Sequence, residues 1–206
     1  MKIFKTPRFF KWIFPRRTWG FSRNKNQVFL TFDDGPNPEI TPWVLDYLKE
    51  KNILATFFCV GTNILKYPEL FERIKLEGHS VGNHTMNHEK ATKVSFQAYK
   101  KSIAETEKLV QNKLFRPPYG RINAWQSYTL SKRYQLIMWS WLSYDFDKSV
   151  EVSTILQKAE QQIKAGDILV LHDNVKVKER IKLLLPELIK KIENKGLNFC
   201  LIQESI

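Results

Sequence analysis

The stretch Thr31-Phe32-Asp33-Asp34-Gly35-Pro36 constrains this chain more than any other. It follows the apolar run Val28-Phe29-Leu30, which reads as a buried strand, and it ends in Gly-Pro, which breaks a strand and opens a loop. Two adjacent carboxylates therefore sit where a buried strand meets a loop. Burying one ionised carboxylate is costly, and burying two side by side costs more. A strong positive partner is expected, and a metal ion is the usual one. A solvated Asp-Gly turn is the alternative for this stretch taken alone.

From residue 28 onward, predicted strands and helices alternate. Strands are expected over 28–33, 55–60, 79–83, 114–116, 136–141, 168–171 and 197–202. Helices are expected over 40–51, 67–77, 96–110 (capped by Ser95), 124–132, 152–164 and 179–195, the last bent at Pro186. Such alternation implies a parallel sheet with helices outside, and seven units imply a closed or nearly closed barrel. An open doubly wound sheet is the alternative. With 206 residues, 43% of them hydrophobic, the chain can bury the core this needs. Cys59 and Cys200 are too few and too far apart for a disulfide framework or a thiolate metal site.

In such folds chemistry gathers at the carboxyl ends of the strands. There the sequence puts Asp33-Asp34, then Asn83-His84-Thr85-Met86-Asn87-His88, Arg116-Pro117-Pro118-Tyr119-Gly120, Ser143-Tyr144-Asp145 and His172-Asp173. His84 and His88 are spaced i, i+4. One helical turn would put both imidazoles on one face, within reach of one cation. Two histidines that simply satisfy the fold are the alternative. Adding one carboxylate gives a set that leaves coordination positions open, as a catalytic zinc requires.

The motifs at 31–36, 84–88, 116–120 and 171–173 (Leu-His-Asp) occur in the order found in one family. Over roughly residues 27–203 the sequence resembles the NodB-type polysaccharide deacetylases of carbohydrate esterase family 4. The resemblance implies an α/β fold, a distorted (β/α)7 barrel. It implies a divalent cation on Asp34, His84 and His88, zinc foremost, with cobalt, nickel or manganese as alternatives. It makes Asp33 the general base and His172 the general acid. Arg116 would hold Asp33 ionised, the Tyr119 backbone N–H would bind the oxyanion, and Asp145 would orient and charge His172. The substrate it implies is a glycan containing N-acetylglucosamine (peptidoglycan, a chitin-type oligomer or a lipid-linked sugar), hydrolysed with release of acetate. A same-fold hydrolase of a small amide and a catalytically silent glycan-binding module are the alternatives. The family's Asp-x-x-Asp-Trp stretch is Leu142-Ser143-Tyr144-Asp145-Phe146 here. Losing the first Asp and the Trp bears on substrate preference more than on catalysis. His79, Trp125, Trp139 and Trp141 read as structural.

The net charge is +12, but Lys2, Lys5, Arg8, Lys11, Arg16, Arg17, Arg23 and Lys25 supply eight of the twelve. Residues 1–26 contain no acidic residue, and Phe4, Phe9, Phe10, Trp12, Phe14, Trp19 and Phe21 are interspersed among the basic ones. We therefore divide the chain into a basic, aromatic-rich segment over 1–26 and a catalytic domain over 27–206. Charge confined to one segment argues against nucleic acid as a partner. It points either to peripheral attachment at an anionic membrane or to packing across the barrel's open flank. No signal-peptide core and no apolar run long enough to span a bilayer occur, so the expected location is the cytoplasm or the inner membrane surface. A monomer is expected.

Overall fold

The structure is a computed structural model that describes residues 2–203. A short helix α1 (Phe10–Ile13) and a short strand β1 (Arg17–Thr18) precede the long strand β2 (Gln27–Asp33). There follow α2 (Thr41–Glu50), β3 (Thr56–Cys59), α3 (Gly61–Lys66), α4 (Pro68–Leu76), β4 (Ser80–Asn83), α5 (Phe96–Val110), β5 (Leu114–Phe115) and α6 (Ala124–Leu130). The chain then forms β6 (Gln135–Ile137), β7 (Trp141–Leu142), α7 (Val152–Gln162), β8 (Ile168–His172), α8 (Lys178–Glu193) and β9 (Asn198–Phe199). The strands form one curled parallel sheet in the order β1-β6-β5-β4-β3-β2-β8-β7, and β9 pairs with the start of β2. With helices outside, this is the expected distorted (β/α) barrel.

Strand alternation explains the inside of the barrel. In β2, Val28, Leu30 and Phe32 join the large core under the outer helices, while Phe29 belongs to a separate inner cluster with Phe58, Leu114 and Ile168. Each such buried side chain contributes about 1.5–3 kcal/mol. The same period sends Thr31 and Asp33 inward with Phe29. It also points Arg116 inward, two residues after Leu114, and His172 inward, four after Ile168. A strand buried on both faces reads as a continuous apolar run, which is why β2 looked like one. In β4, position 82 faces the inner cluster and needs glycine, because a Cβ there would come within 2.6 Å of the Phe58 ring.

Several sequence expectations need correction. The strand expected over 136–141 is two strands, β6 and β7, on opposite sides of the seam in the sheet. Between them the Met138 N–H donates to the Thr18 carbonyl at 2.8 Å and the Ser140 N–H to the Ile168 carbonyl at 3.1 Å. The chain there trades neighbours instead of continuing one ladder. The last expected strand, 197–202, is only the short β9. Helix α3, helix α1, strand β1 and the 3-10 turns Pro118–Gly120 and Val175–Val177 were not expected. Trp141 is fully buried, but Trp125 is 61% exposed and packs at a tilt beside Phe96 instead of entering the core.

The N-terminal segment lies along the seam. The Phe4 carbonyl accepts from the Leu142 N–H at 2.9 Å, and the Thr6 N–H donates to the Ser140 carbonyl at 2.9 Å. Phe4, Arg17 and Trp19 are buried. No helix among the described residues is long and apolar enough to cross a membrane.

Candidate active site

All the sequence-predicted site residues lie at or just past the carboxyl ends of the strands. Asp33 and His172 end β2 and β8 and are direct register partners in that ladder. Asp33 is buried, and its Oδ1 accepts from Arg116 Nη1 at 2.6 Å. Arg116 is fully buried. Its Nη1 also donates to Thr31 Oγ1 (2.7 Å), its Nη2 to the Met138 carbonyl (3.1 Å) and its Nε to the Ile137 carbonyl (3.3 Å). Those carbonyls lie at the end of β6 and just past it, with three strands between β6 and the strand of Asp33 in the sheet order. A buried guanidinium needs its donors satisfied, and this one spans the sheet to satisfy them.

Asp34 has a left-handed backbone (φ 83°), uncommon for a residue with a side chain. This turn breaks strand alternation, so adjacent carboxylates serve the same mouth. Its Oδ1 lies 3.1 Å from His88 Nε2 and 3.6 Å from His84 Nε2. Donor atoms of the three residues all fall within 4.8 Å of one another. Two ligand atoms on a tetrahedral zinc, each about 2.0–2.1 Å from it, sit about 3.3 Å apart, so this set fits a divalent cation. The His84 ring supports the same conclusion. Its Nδ1 lies 2.8 Å from the Arg116 carbonyl, which can only accept, so Nδ1 carries the proton and Nε2 presents its lone pair. Burial pushes the His84 pKa down to about 4, keeping the ring neutral as a ligand must be. At Asp34 burial acts upward but is outweighed by the bond to His88 and the nearby His172 and His84. Its carboxyl is held well below the usual range.

The expected helical turn at 84–88 is absent. The segment is a loop in which Thr85 (φ 65°) and His88 (φ 57°) are both left-handed, and it is that path that brings the imidazoles together. The loop is held by the Thr85 N–H on Asn83 Oδ1 (2.9 Å) and the Glu89 N–H on Thr85 Oγ1 (3.1 Å).

His172 Nδ1 lies 2.7 Å from Asp145 Oδ1, and the His172 N–H donates to Asp145 Oδ2 at 2.8 Å. Burial lowers the imidazole pKa. The charge and hydrogen bond of Asp145, with Asp34 and Asp33 farther off, more than reverse this and lift it to about 9. Tyr119 sits on the 3-10 turn with φ 60°, its ring edge-on to His88 at 4.7 Å. Phe146 stands edge-on to His172 at 5.1 Å. Both rings are exposed, one beside the histidine-aspartate cluster and the other beside His172.

Two residues beyond the predicted set belong to the site. Asn174 donates from Nδ2 to Asp34 Oδ2 at 2.6 Å, leaving Oδ1 to face the histidines. Its only sequence signal is its place directly after Leu-His-Asp on the same rim. Asp173 accepts from the Gly35 N–H (2.9 Å) and from Thr41 Oγ1 (2.6 Å), clamping the loop that carries Asp34. Burial lifts its pKa to about 7. Gly35 is required here because a Cβ would lie 2.1 Å from Asp173 Oδ2. His79 is structural: its Nδ1 accepts from the Ala55 N–H at 3.2 Å.

Comparison with known proteins identifies the family. The polysaccharide deacetylase family profile matches residues 22–135. A peptidoglycan-N-acetylglucosamine deacetylase of Bacillus cereus is 34% identical over 194 residues, covering 91% of this chain and 91% of the relative. A second from the same organism is 37% identical over 172 residues, covering 79% of this chain and 62% of the relative. The crystal structure of a peptidoglycan N-acetylglucosamine deacetylase bound to 4-naphthalen-1-yl-N-oxidanyl-benzamide superposes with a TM-score of 0.86. It shares 32% identity and covers 96% of this chain and 95% of that one.

Proposed function

Because this chain belongs to the polysaccharide deacetylase family, we propose that it hydrolyses the N-acetyl groups of an N-acetylglucosamine-containing glycan, peptidoglycan first among them. The observation that carries this reading is the meeting of three pairs at one mouth: Asp34 with its two histidines, Asp33 with Arg116, and His172 with Asp145.

Asp34, His84 and His88 hold a divalent cation, zinc by preference, since two imidazoles and one carboxylate oxygen suit it. When bound there, such a cation would supply Lewis acidity, lowering the pKa of water from 15.7 to about 7 and polarising the acetyl carbonyl. Asp33 accepts the proton of the attacking water, and Arg116 holds its carboxylate in place through the bond to Oδ1. The tetrahedral carbon that follows carries an oxyanion, which the Tyr119 backbone N–H stabilises. His172 delivers a proton to the departing sugar amine, which breaks the carbon–nitrogen bond and leaves acetate. Asp145 supports that step by holding the imidazolium and its ring orientation. Tyr119 and Phe146 offer apolar faces to a pyranose ring at the mouth. All these groups come from one chain, so the reading needs only a monomer.

Acetate release from peptidoglycan fragments and from chitin oligomers tests the activity. Asp33→Asn and His172→Ala should each reduce kcat by about 10² or more with the fold intact. Near-native turnover in either variant would remove the role assigned to it. Elemental analysis of purified protein tests the cation site: His84→Ala and His88→Ala should each lose bound metal, and unchanged content in both would refute that assignment.

A further inference from the structure

The pole of the barrel opposite the catalytic mouth carries a second charged cleft. It has a volume of about 640 Å³, lies under the N-terminal segment, and is lined by Lys5, Arg8, Lys11, Arg23, Trp19 and Gly166, among others. Gly166 and Asp167 immediately precede β8, whose other end is His172. At about 3.3 Å per residue the five residues of β8 set the two sites about 16 Å apart along the strand.

The cleft is cationic with little to balance it. Asp167 is its one acidic lining residue, and that carboxylate is already paired with Lys5. Among the described residues Arg8, Lys11 and Arg23 have no ion-pair or hydrogen-bond partner for their side chains. The rim is apolar. Helix α1 presents Trp12 at 86% exposure, with Phe9 at 52% and Ile13 at 58% beside it, while Phe10 packs inward against Trp19. Isolated exposed apolar residues are ordinary, but three on one short turn around a ring of unpaired cations are not. Aromatic side chains next to lysines and arginines are the composition of a surface that lies in the lipid interface.

We propose that this pole docks on an anionic bilayer, with a lipid phosphate headgroup seated in the cleft against Arg8, Lys11 and Arg23 and with Phe9, Trp12 and Ile13 entering the interface. Charge complementarity selects the occupant: the cleft offers donors to a phosphate diester, and the rim offers apolar contact only a lipid surface would cover. The consequence is orientation. Docked in this way, the enzyme turns its catalytic mouth away from the bilayer, toward glycan standing above the surface and not toward sugars carried on lipid in the same leaflet. The docking stands independently of the hydrolytic reading.

Vesicle co-sedimentation of the full chain tests it, using phosphatidylcholine alone and phosphatidylcholine with about 30 mol% phosphatidylglycerol. Binding is expected to the mixed vesicles only, and to vanish in about 1 M salt, where the Debye length is about 3 Å. The double variant Lys11→Glu/Arg23→Glu and the single variant Trp12→Ser should each lower the partition coefficient about tenfold or more. Thermal midpoint and turnover of a soluble chitin oligomer should stay at wild-type values, since none of these residues touches the mouth. Inorganic phosphate at millimolar concentration should not displace the vesicle-bound protein, because it cannot replace the apolar contacts. Equal binding to neutral vesicles, no binding to either, undiminished binding by both variants, or displacement by phosphate overturns the proposal. An inactive but vesicle-binding enzyme would leave the docking standing and strike only the hydrolytic reading.

Discussion

Arg116 shows how one residue joins fold and chemistry. It is fully buried, closes four hydrogen bonds across the barrel and neutralises Asp33. Removing one member of a buried pair strands the other, at about 3–5 kcal/mol. Arg116→Met should therefore lower the unfolding free energy, read from urea titration, by that much and also abolish activity. Arg116→Met/Asp33→Asn should recover much of the stability but none of the turnover. His172 gives a second test. Its folded pKa of about 9 lies above the ordinary 6.5, so the protonated form is favoured in the folded state. The stability it contributes is complete below about pH 6.5 and is lost as pH rises through about 9. In Asp145→Asn the largest upward influence is gone, and the imidazole of metal-free protein should titrate well below 9 by NMR. A midpoint that stayed near 9 would show that Asp145 is not what charges the ring. The double charge of a bound cation draws the wild-type midpoint down, so the basic limb of the kcat profile should fall below 9.

At the scale of elements, the N-terminal segment is the piece with two readings. Its residues 4–6 and 17–18 hydrogen-bond along the seam between β6 and β7. Phe4 is buried with its ring 5.0 Å from Tyr144 and 6.3 Å from Trp141. We propose that the segment belongs to the barrel's folding unit. Phe4→Ala should then cost about 3–5 kcal/mol, read from denaturant unfolding. Deleting residues 2–20 should expose the β6 and β7 edges and give an aggregating protein. A truncated chain with an unchanged thermal midpoint would restore the view of an appended arm. Both functions of the segment are compatible, because Phe4 and Trp19 face the barrel whereas Phe9, Trp12 and Ile13 face outward.

For the whole molecule, the proposed cation site would couple metal binding to folding, since His84 and His88 converge only when β4 and its loop are formed. A ligand at 1,000 times its Kd stabilises the native state by about 4.1 kcal/mol. Chelation should lower the thermal midpoint of the wild type, zinc should restore it, and Asp34→Ala should respond to neither. What the sequence settled alone is what local chemistry specifies. Apolar runs and helical periods fixed the alternating units, and the motif residues fixed Asp33, Asp34, His84, His88, Arg116 and His172 as rim residues. Pairing across the sheet was not local. Whether 136–141 is one strand or two depends on which neighbours it finds: β5 and β1 for its first half and β8 for its second, with β1 over a hundred positions away. The route that joins His84 to His88 is likewise a tertiary outcome: the i, i+4 spacing suits a helical turn, but the Thr85 N–H on Asn83 Oδ1 and the Glu89 N–H on Thr85 Oγ1 hold a left-handed loop instead. Asn174 reached Asp34 across 140 residues, and its place directly after Leu-His-Asp marks the rim it stands on but not the partner it takes. The sequence specified which groups are present and at which strand ends. Only the curl of the sheet decided which of them touch, because a hydrogen bond depends on distances that chain order does not contain.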